Sequence, residues 1–489
     1  MKRIILSCLL CGVILLTGCA QKDAGSTVSY ENVDSINAEA NAEYESGNYK
    51  EALTKYAEAI TTNPVDLTAQ LGAAKCQMAL ENYEMAAMNL SAALKIDPKA
   101  EEIYDAYLEL SKASDSVGYA RSAIKSAEKN QVDSFLAKLP KEPVLSSDGG
   151  TFDSKVELTI TADPDEEIFV EETHDSYYNV YKYYGYPLNI LHGITELSVY
   201  CMKDGIPSRS VDAHFSCSYE PTEVTFKDKA VEMLVRADLG FDENTPVTDF
   251  DCEKIQYLYA YQISSIKDWG DEEPPKVESL DDFVLFPNLS SLSLEEMSGI
   301  NDFSFLANCH KLNHLDISDT GTTDLSSLSE LYSLETLFVN GNEITDFSPV
   351  KDLKLDSIAF NCPENQDLSF LQNYKDSLTE LLIYGCADAD LSSIASLSGL
   401  TNVSLYNYYY LNNEYHRDEA PLGDLHWLVE LPALEYLQLY GLEDYSPLEY
   451  IKTISTLQRL NVRTVDGEDM SAELRKELEE ALPGCKIYN

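Results

Sequence analysis

Four patterns of apolar and polar positions run along the chain in turn, each with its own period. Residues 4–16 form one short, predominantly apolar stretch behind Lys2 and Arg3. Between residues 34 and 137 the apolar positions recur with a period of 34: Tyr49, Ala52, Tyr56, Ala59 and Pro64 return as Tyr83, Ala86, Leu90, Ala93 and Pro98. A third copy carries Ala120, Ile124 and Ala127, with Val132 in the proline place. Small alanines let paired helices approach closely and a proline stops the second helix of each pair, so stacked helical hairpins are predicted. Over 138–220 the period drops to two, in Val156/Leu158/Ile160, Leu197/Val199 and Val211/Ala213/Phe215, which predicts half-buried antiparallel strands. Asp204-Gly205 marks a tight hairpin between two of them. From 221 to 489 the pattern L-x-x-L-x-L starts at Leu289, Leu312, Leu334, Leu355, Leu378, Leu400, Leu434 and Leu457. Each copy predicts one short parallel strand of a solenoid, because no single copy can bury its own leucines.

The expected fold is therefore multidomain: helical repeats (34–137), a small all-β sandwich (138–220) and an α/β solenoid with end caps (221–489). These follow a leader (1–18) and a tether (19–33). Three motifs carry resemblances. The 34-residue pattern resembles the tetratricopeptide repeat, although Ile36, Gln70 and Tyr104 stand where that family has tryptophan. Such repeats bind peptides or partner proteins, and two and a half of them serve equally as a spacer. Residues 147–152 and the Met202–Gly205 hairpin resemble the chitobiase C-terminal-like, fibronectin-type sandwiches of bacterial surface proteins, which implies a spacer domain. The solenoid carries the leucine-rich-repeat signature. Its Asn342-Glu343-Ile344-Thr345-Asp346-Phe347-Ser348-Pro349 stretch is similar to the internalin-like subclass, with Cys386 taking the asparagine place in another copy. Residues 228–270 read as an N-terminal cap with one irregular turn, and 471–482 as a C-terminal capping helix. A step of 34 residues between two copies predicts a protruding loop at 408–421.

Charge and composition narrow the function. Acidic residues number 84 against 35 basic ones, a net charge of -49 that repels phosphate backbones and excludes nucleic-acid binding. Tyrosines number 32 against 15 phenylalanines, and tyrosine suits surfaces that stay wet yet adhesive. Leu16-Thr17-Gly18-Cys19-Ala20, directly after the apolar run, resembles the lipobox of bacterial lipoproteins. The resemblance implies lipidation of Cys19 and attachment to the outer face of the cell membrane through that lipid. Of the eleven cysteines, Cys8 and Cys11 fall in the apolar leader; the eight after Cys19 are sparse, and buried single thiols are expected, with Cys201 and Cys217, in one predicted hairpin, the pair to check for a disulfide.

No motif of catalysis is present: no H-E-x-x-H, G-x-S-x-G, P-loop or EF-hand spacing occurs, so no catalytic residue, cofactor or metal is expected. Cys309, His310 and His314 are split between a return loop and a strand. Glu295-Glu296 is the kind of acid pair that 84 carboxylates produce by chance. Asp148, Asp163, Asp165, Asp388 and Asp390 lack calcium-loop spacing. Side chains at the third, fifth and seventh positions of each L-x-x-L-x-L copy should face outward on the concave sheet. That places Tyr384, Tyr406, Tyr436 and Tyr440 on adjacent strands, with Arg459 and Arg463 beside them and Phe338 on an earlier strand. The sequence thus points to a lipid-anchored interaction protein that binds a protein or peptide partner on this face. The alternative is a glycan-binding lipoprotein that uses tyrosine surfaces, including the run from Tyr177 to Tyr186. That run can stack on sugars or pack over a thin sandwich core.

Overall fold

The computed structural model describes residues 31–488, apart from 115, 175–176, 268–272, 298, 301, 363–365, 388, 412–413 and 418–419. Residues 1–18, expected to be a leader, together with Cys19 and Asp388 lie outside the described residues.

Helices α1 (Glu31–Glu45), α2 (Tyr49–Thr62), α3 (Leu67–Ala79), α4 (Tyr83–Ile96), α5 (Glu101–Ala113) and α6 (Val117–Asn130) form three consecutive hairpins. The repeated alanines are the contact points: Ala52, Ala59, Ala86, Ala93, Ala120 and Ala127 are fully buried. Tyr56 lies over Gly72, where even a methyl group would strike its ring, so this glycine seats the aromatic. Ile36, Gln70 and Tyr104 are all buried, filling the position that a tryptophan would occupy. Gln70 Oε1 accepts from Asn89 Nδ2 at 2.9 Å, and the Tyr104 hydroxyl donates to the Pro98 carbonyl at 2.6 Å, so each substitute has a hydrogen-bond partner.

The strand-rich unit comprises β1 (Val144–Leu145), β2 (Gly149–Phe152), β3 (Val156–Leu158), β4 (Ile160–Thr161), β5 (Glu167–His174), β6 (Tyr177–Tyr183), β7 (Leu188–Ile190), β8 (Gly193–Lys203), β9 (Ile206–Pro207) and β10 (Val211–Cys217). The main sheet runs β2-β10-β8-β5-β6 with β9 beside β8, and β1-β4 and β3-β7 form two short antiparallel ladders. All share one core around Leu158, Ile160, Val170, Ile190, Val199 and Phe215. Two details depart from the sequence reading. The 156–161 run breaks into β3 and β4, which pair with different partners, and β2 joins β10 in parallel. The hairpin at Asp204 (φ 51°) and Gly205 (φ 74°) forms as its composition predicts. Cys201 and Cys217 do not pair. Gly193 lies opposite Cys217, which leaves Cys201 eight residues along β8, about 27 Å away at ~3.4 Å per residue. None of the eight described cysteines forms a disulfide.

The third unit is a parallel sheet that the described residues show as ten strands, in sequence order. They are β11 (Tyr257–Tyr259), β12 (Ser291–Ser293), β13 (His314–Asp316), β14 (Thr336–Phe338), β15 (Ser357–Asn361), β16 (Glu380–Tyr384) and β17 (Asn402–Tyr406). After the hairpin strands β18 (Tyr408–Leu411) and β19 (Glu414–Arg417) come β20 (Tyr436–Leu442), β21 (Arg459–Thr464) and β22 (Lys486–Tyr488). The eight leucine-rich copies each supply one strand. Leu292, Leu315, Leu337, Ile358, Leu381, Val403, Leu437 and Leu460 line up as one column, each at most 1% exposed. Beyond these copies the sheet gains β11 at one edge and β22 at the other.

The seven return loops between β12 and β21 open with the same device. Asp302, Asp324, Asp346, Asp367, Asp390, Asp424 and Asp444 accept the backbone N–H two residues on, at 2.8 to 3.0 Å. At the preceding turn Asn342 donates to the Ile317 and Val339 carbonyls, while Thr320 and Cys386 make the same contact three residues back in their own copies. At the ends, Asp228 caps the helix Lys229–Leu239 and Ser471 caps the helix Ala472–Ala481.

The three units are joined by specific contacts. Arg121 of α6 pairs with Glu171 and lies over the Tyr200 ring at 4.4 Å. Lys311 of the solenoid reaches Glu172 at 2.7 Å and Asn288 at 2.9 Å, over the ring of Tyr181. Tyr184 stacks on Tyr332, and Tyr186 on His310 with ring centroids 3.8 Å apart. The tyrosine run is therefore largely structural: Tyr183 is in the strand-unit core, and Tyr181, Tyr184 and Tyr186 pack against the solenoid. Tyr178 is the exposed ring there, and the Tyr177 side chain lies outside the description.

Candidate functional site

Strand register fixes how the outward side chains of the ten-stranded parallel sheet assemble. Asn361, Tyr384, Tyr406, Tyr440 and Arg463 form one row across β15, β16, β17, β20 and β21. Glu380, Asn402, Tyr436, Arg459 and Lys486 form a second row, and Leu382, Ser404, Gln438, Asn461 and Tyr488 run between them. Neighbouring strands lie about 4.8 Å apart, which is contact distance for aromatic rings.

The rings use that spacing. Tyr384 and Tyr406 are parallel at 4.4 Å, and Tyr440 meets Tyr406 edge-on at 5.5 Å. Arg463 lies over Tyr440 at 4.9 Å, while Arg459 sits between Tyr436 (5.3 Å) and Tyr488 (4.9 Å). Hydrogen bonds tie the rows together: Tyr436 donates to Gln438 Oε1 (2.6 Å), Gln438 Nε2 to the Tyr406 hydroxyl (2.8 Å) and Asn461 Nδ2 to the Tyr440 hydroxyl (2.9 Å). Desolvation, with Tyr408 adding to it, pushes the Tyr384 hydroxyl up to about 12, and burial raises that of Tyr406 as well. These phenols stay neutral donors at any physiological pH.

The insertion between β17 and β20 is a β-hairpin rather than an open loop. Its strands β18 and β19 pair antiparallel, and its base is held on both sides. Gly385 N donates to the Tyr408 carbonyl at 3.1 Å, and Leu422 N to the Gly441 carbonyl at 2.8 Å. Gly385, at φ 65°, is required here: a Cβ would stand 2.6 Å from Tyr409. The hairpin swings Tyr408 into the cluster, 5.2 Å from Tyr406 and 6.5 Å from both Tyr384 and Tyr440. Tyr415 packs on Tyr408 from outside and is 54% exposed.

Of the residues singled out from the sequence, Tyr384, Tyr406, Tyr436, Tyr440, Arg459 and Arg463 come together. Phe338 does not: it lies two strands from Tyr384, in a different row, edge-on to His314 at 5.5 Å. Tyr406 is only 8% exposed and acts as the keystone of the cluster, so a ligand meets its neighbours instead. Sequence reasoning missed Tyr408 and Tyr415, which belong to an insertion with no repeat register. It also missed Tyr257 and Tyr259 on β11, at the opposite edge of the same sheet, and Tyr261 in the 3-10 turn that follows it. The alternation Tyr257-Leu258-Tyr259-Ala260-Tyr261 was the available signal, with Leu258 and Ala260 buried.

The middle of the sheet is small and acidic. Desolvation first, and then neighbouring carboxylates, raise the Glu295, Glu335 and Asp356 carboxyls above their ordinary values. Among the described residues no group of His, Cys, Asp and Glu side chains is arranged to hold a metal. Cys309 is fully buried behind Phe283, His310 stacks on Tyr186, and His314 faces Phe338.

No family model and no curated protein matches the sequence. Solved structures do show similarity. An internalin from Listeria monocytogenes is 24% identical over 54% of this chain and 75% of its own, with a TM-score of 0.37. A leucine-rich-repeat protein from Leptospira interrogans is 18% identical over 44% of this chain and 52% of its own (TM-score 0.30). The helical repeats are similar to the type III secretion chaperone SycD of Yersinia enterocolitica, solved with a peptide of the translocator YopD. That match has 19% identity over 23% of this chain and 95% of the chaperone (TM-score 0.20).

Proposed function

We propose that this protein is a lipid-anchored, extracytoplasmic interaction protein that binds a protein partner through the concave face of its leucine-rich solenoid. The observation that carries this reading is the tyrosine cluster of Tyr384, Tyr408 and Tyr440 around Tyr406, flanked by Arg459 and Arg463. Tyrosine and arginine are the side chains enriched at binding hot spots, because each adds large contact area with a polar end. The cluster is also preorganised: its rings are locked by one another and by a hydrogen-bond chain, so little rotamer freedom remains to be lost on binding.

The other units support display. In this reading Cys19 carries the lipid, the helical repeats stand nearest the membrane, and the strand-rich unit is a fibronectin-type spacer. The contact at Arg121 holds the helical repeats against that spacer, and the contact at Lys311 holds the solenoid against it. The reading assigns no catalytic residue and no cofactor.

Site-specific photo-crosslinking tests it. A benzoylphenylalanine placed at Tyr415, beside the cluster, should yield a discrete protein adduct on intact cells. The same probe at Val429, an exposed position in a return loop, should not. Equal labelling from both positions, or none from Tyr415, contradicts the proposal.

A further inference from the structure

The concave sheet carries aromatic side chains at both edges, and the two edges differ in one respect. At the β20–β22 edge each outward tyrosine has a cation from this chain on its face: Arg459 on Tyr436 and Tyr488, and Arg463 on Tyr440. At the β11 edge, Tyr257, Tyr259 and Tyr261 form a ladder of near-parallel rings, 6.5 Å and 5.7 Å apart, with Tyr257 53% and Tyr261 55% exposed. Their neighbours across the strand are Ser291 and Ser293, too small to cover a ring. No lysine or arginine occupies an outward position on any strand from β11 to β17.

The ground beside the ladder is negative. Glu295, Asp316, Glu335, Asp356 and Glu380 face or flank the sheet, and among the described residues no ion pair neutralises any of them. The raised carboxyls of Glu295, Glu335 and Asp356 agree with negative charge held close together and partly out of water. An open recess of about 410 Å³ beside Tyr261 is lined by Glu273, Glu295, Glu296 and Met297, with Lys276 as the single cation on its wall. Aromatic faces and carboxylates attract the same chemistry: a cation on an apolar stem.

We infer that the β11 edge of the concave face docks an arginine-bearing basic segment of a partner protein, which supplies from outside the arginine-on-tyrosine pairs that this chain builds for itself at the other edge. This rests on the concave face being the binding surface and specifies what approaches it. The charge distribution also sets polarity. The partner's basic segment lies over β11 to β16, and its neutral or acidic part meets the tyrosines next to Arg459 and Arg463.

The test uses the full chain and a fluorescent twelve-residue peptide alternating Arg and Ser, with its citrulline counterpart and a chitin hexasaccharide as further probes. The net charge of -49 attracts any polycation. The decisive comparison is therefore the Tyr257→Ala/Tyr259→Ala/Tyr261→Ala variant, which leaves the charge unchanged, and the matching triple Phe variant. At 150 mM salt the arginine peptide should bind wild type and the Phe variant alike, lose at least tenfold in affinity to the Ala variant, and far outbind the citrulline peptide. Equal binding to wild type and the Ala variant overturns the inference, since attraction is then only general. Ring-dependent binding of the hexasaccharide without the peptide also overturns it, in favour of a glycan. If the ladder fails these tests while partner crosslinking at Tyr415 persists, this inference falls alone and the proposed function stands.

Discussion

Replacing Lys311 by Met should weaken the joint between the strand-rich unit and the solenoid more than any surface substitution. Lys311 and Glu172 have side chains only 10% and 4% exposed, at 2.7 Å from each other. Glu172 also accepts from the Tyr181 hydroxyl at 2.8 Å, and Lys311 donates to Asn288. Breaking a buried pair from one side strands a charge and costs about 3–5 kcal/mol, whereas removing both partners is close to neutral. Because the Tyr181 hydroxyl still faces Glu172 in the Lys311→Met variant, the lower end, about 3 kcal/mol, is expected. Glu172→Gln keeps the shape and the tyrosine bond but strands the lysine, and about 2 kcal/mol is expected from the same reasoning. The double variant should recover much of the loss, with a coupling energy of at least ~1.5 kcal/mol. Both tryptophans lie in the 221–489 region, so urea unfolding followed by tryptophan fluorescence reads the solenoid itself. Single variants within about 0.5 kcal/mol of wild type, with no coupling, would refute the claim that this pair is desolvated and holds the units together.

Three further outcomes can be measured. Glu295, Glu335 and Asp356 have carboxyls raised in the folded state, so that state binds more protons as pH falls through their raised values, and the urea midpoint of wild type should rise relative to that of a Glu295→Gln/Glu335→Gln/Asp356→Asn variant on acidification, the lowered His310 imidazole being common to both. The return-loop aspartates, held low by hydrogen bonds from the residue two positions on, add stability above about pH 4 that is lost as pH falls through their lowered values. A wild-type midpoint that stays level with or falls relative to the triple variant on acidification contradicts this. Burial raises the thiols of Cys76 to about 11 and of Cys201, Cys252 and Cys309 to about 12, so native protein should react slowly with a thiol reagent and denatured protein should release all eight described thiols without reductant. Finally, Cys19→Ala should abolish incorporation of a clickable palmitate, and unchanged labelling of that variant removes the anchoring proposal.

What the sequence disclosed follows from how local each signal is. The leucine columns and the 34-residue alanine pattern repeat, so each copy confirms the next, and helices and parallel strands were legible from them. The outward row of Tyr384, Tyr406 and Tyr440 was legible for the same reason, since register in a parallel solenoid follows the repeat. Residues outside the repeat were not. Tyr408 and Tyr415 sit in an insertion whose hairpin depends on anchoring to Gly385 and Gly441, two copies apart in the sheet. The tyrosine run at 181–186 became an inter-unit joint because its partners Tyr332, His310 and Lys311 are more than 120 residues away, a pairing that no local pattern encodes. The break at Thr159 and the parallel pairing of β2 likewise depend on long-range partners.

The central claim is that the tyrosine cluster on the concave face is the recognition surface. Once a partner has been captured by crosslinking at Tyr415, its affinity for wild type and for the Tyr384→Ala/Tyr440→Ala variant tests that claim most directly. Circular dichroism and the urea midpoint serve as controls that the solenoid remains folded. The account predicts a loss of at least ~2 kcal/mol, about thirtyfold in Kd, with most of it restored in the corresponding Phe variant. A folded double variant that binds the partner as tightly as wild type would contradict it.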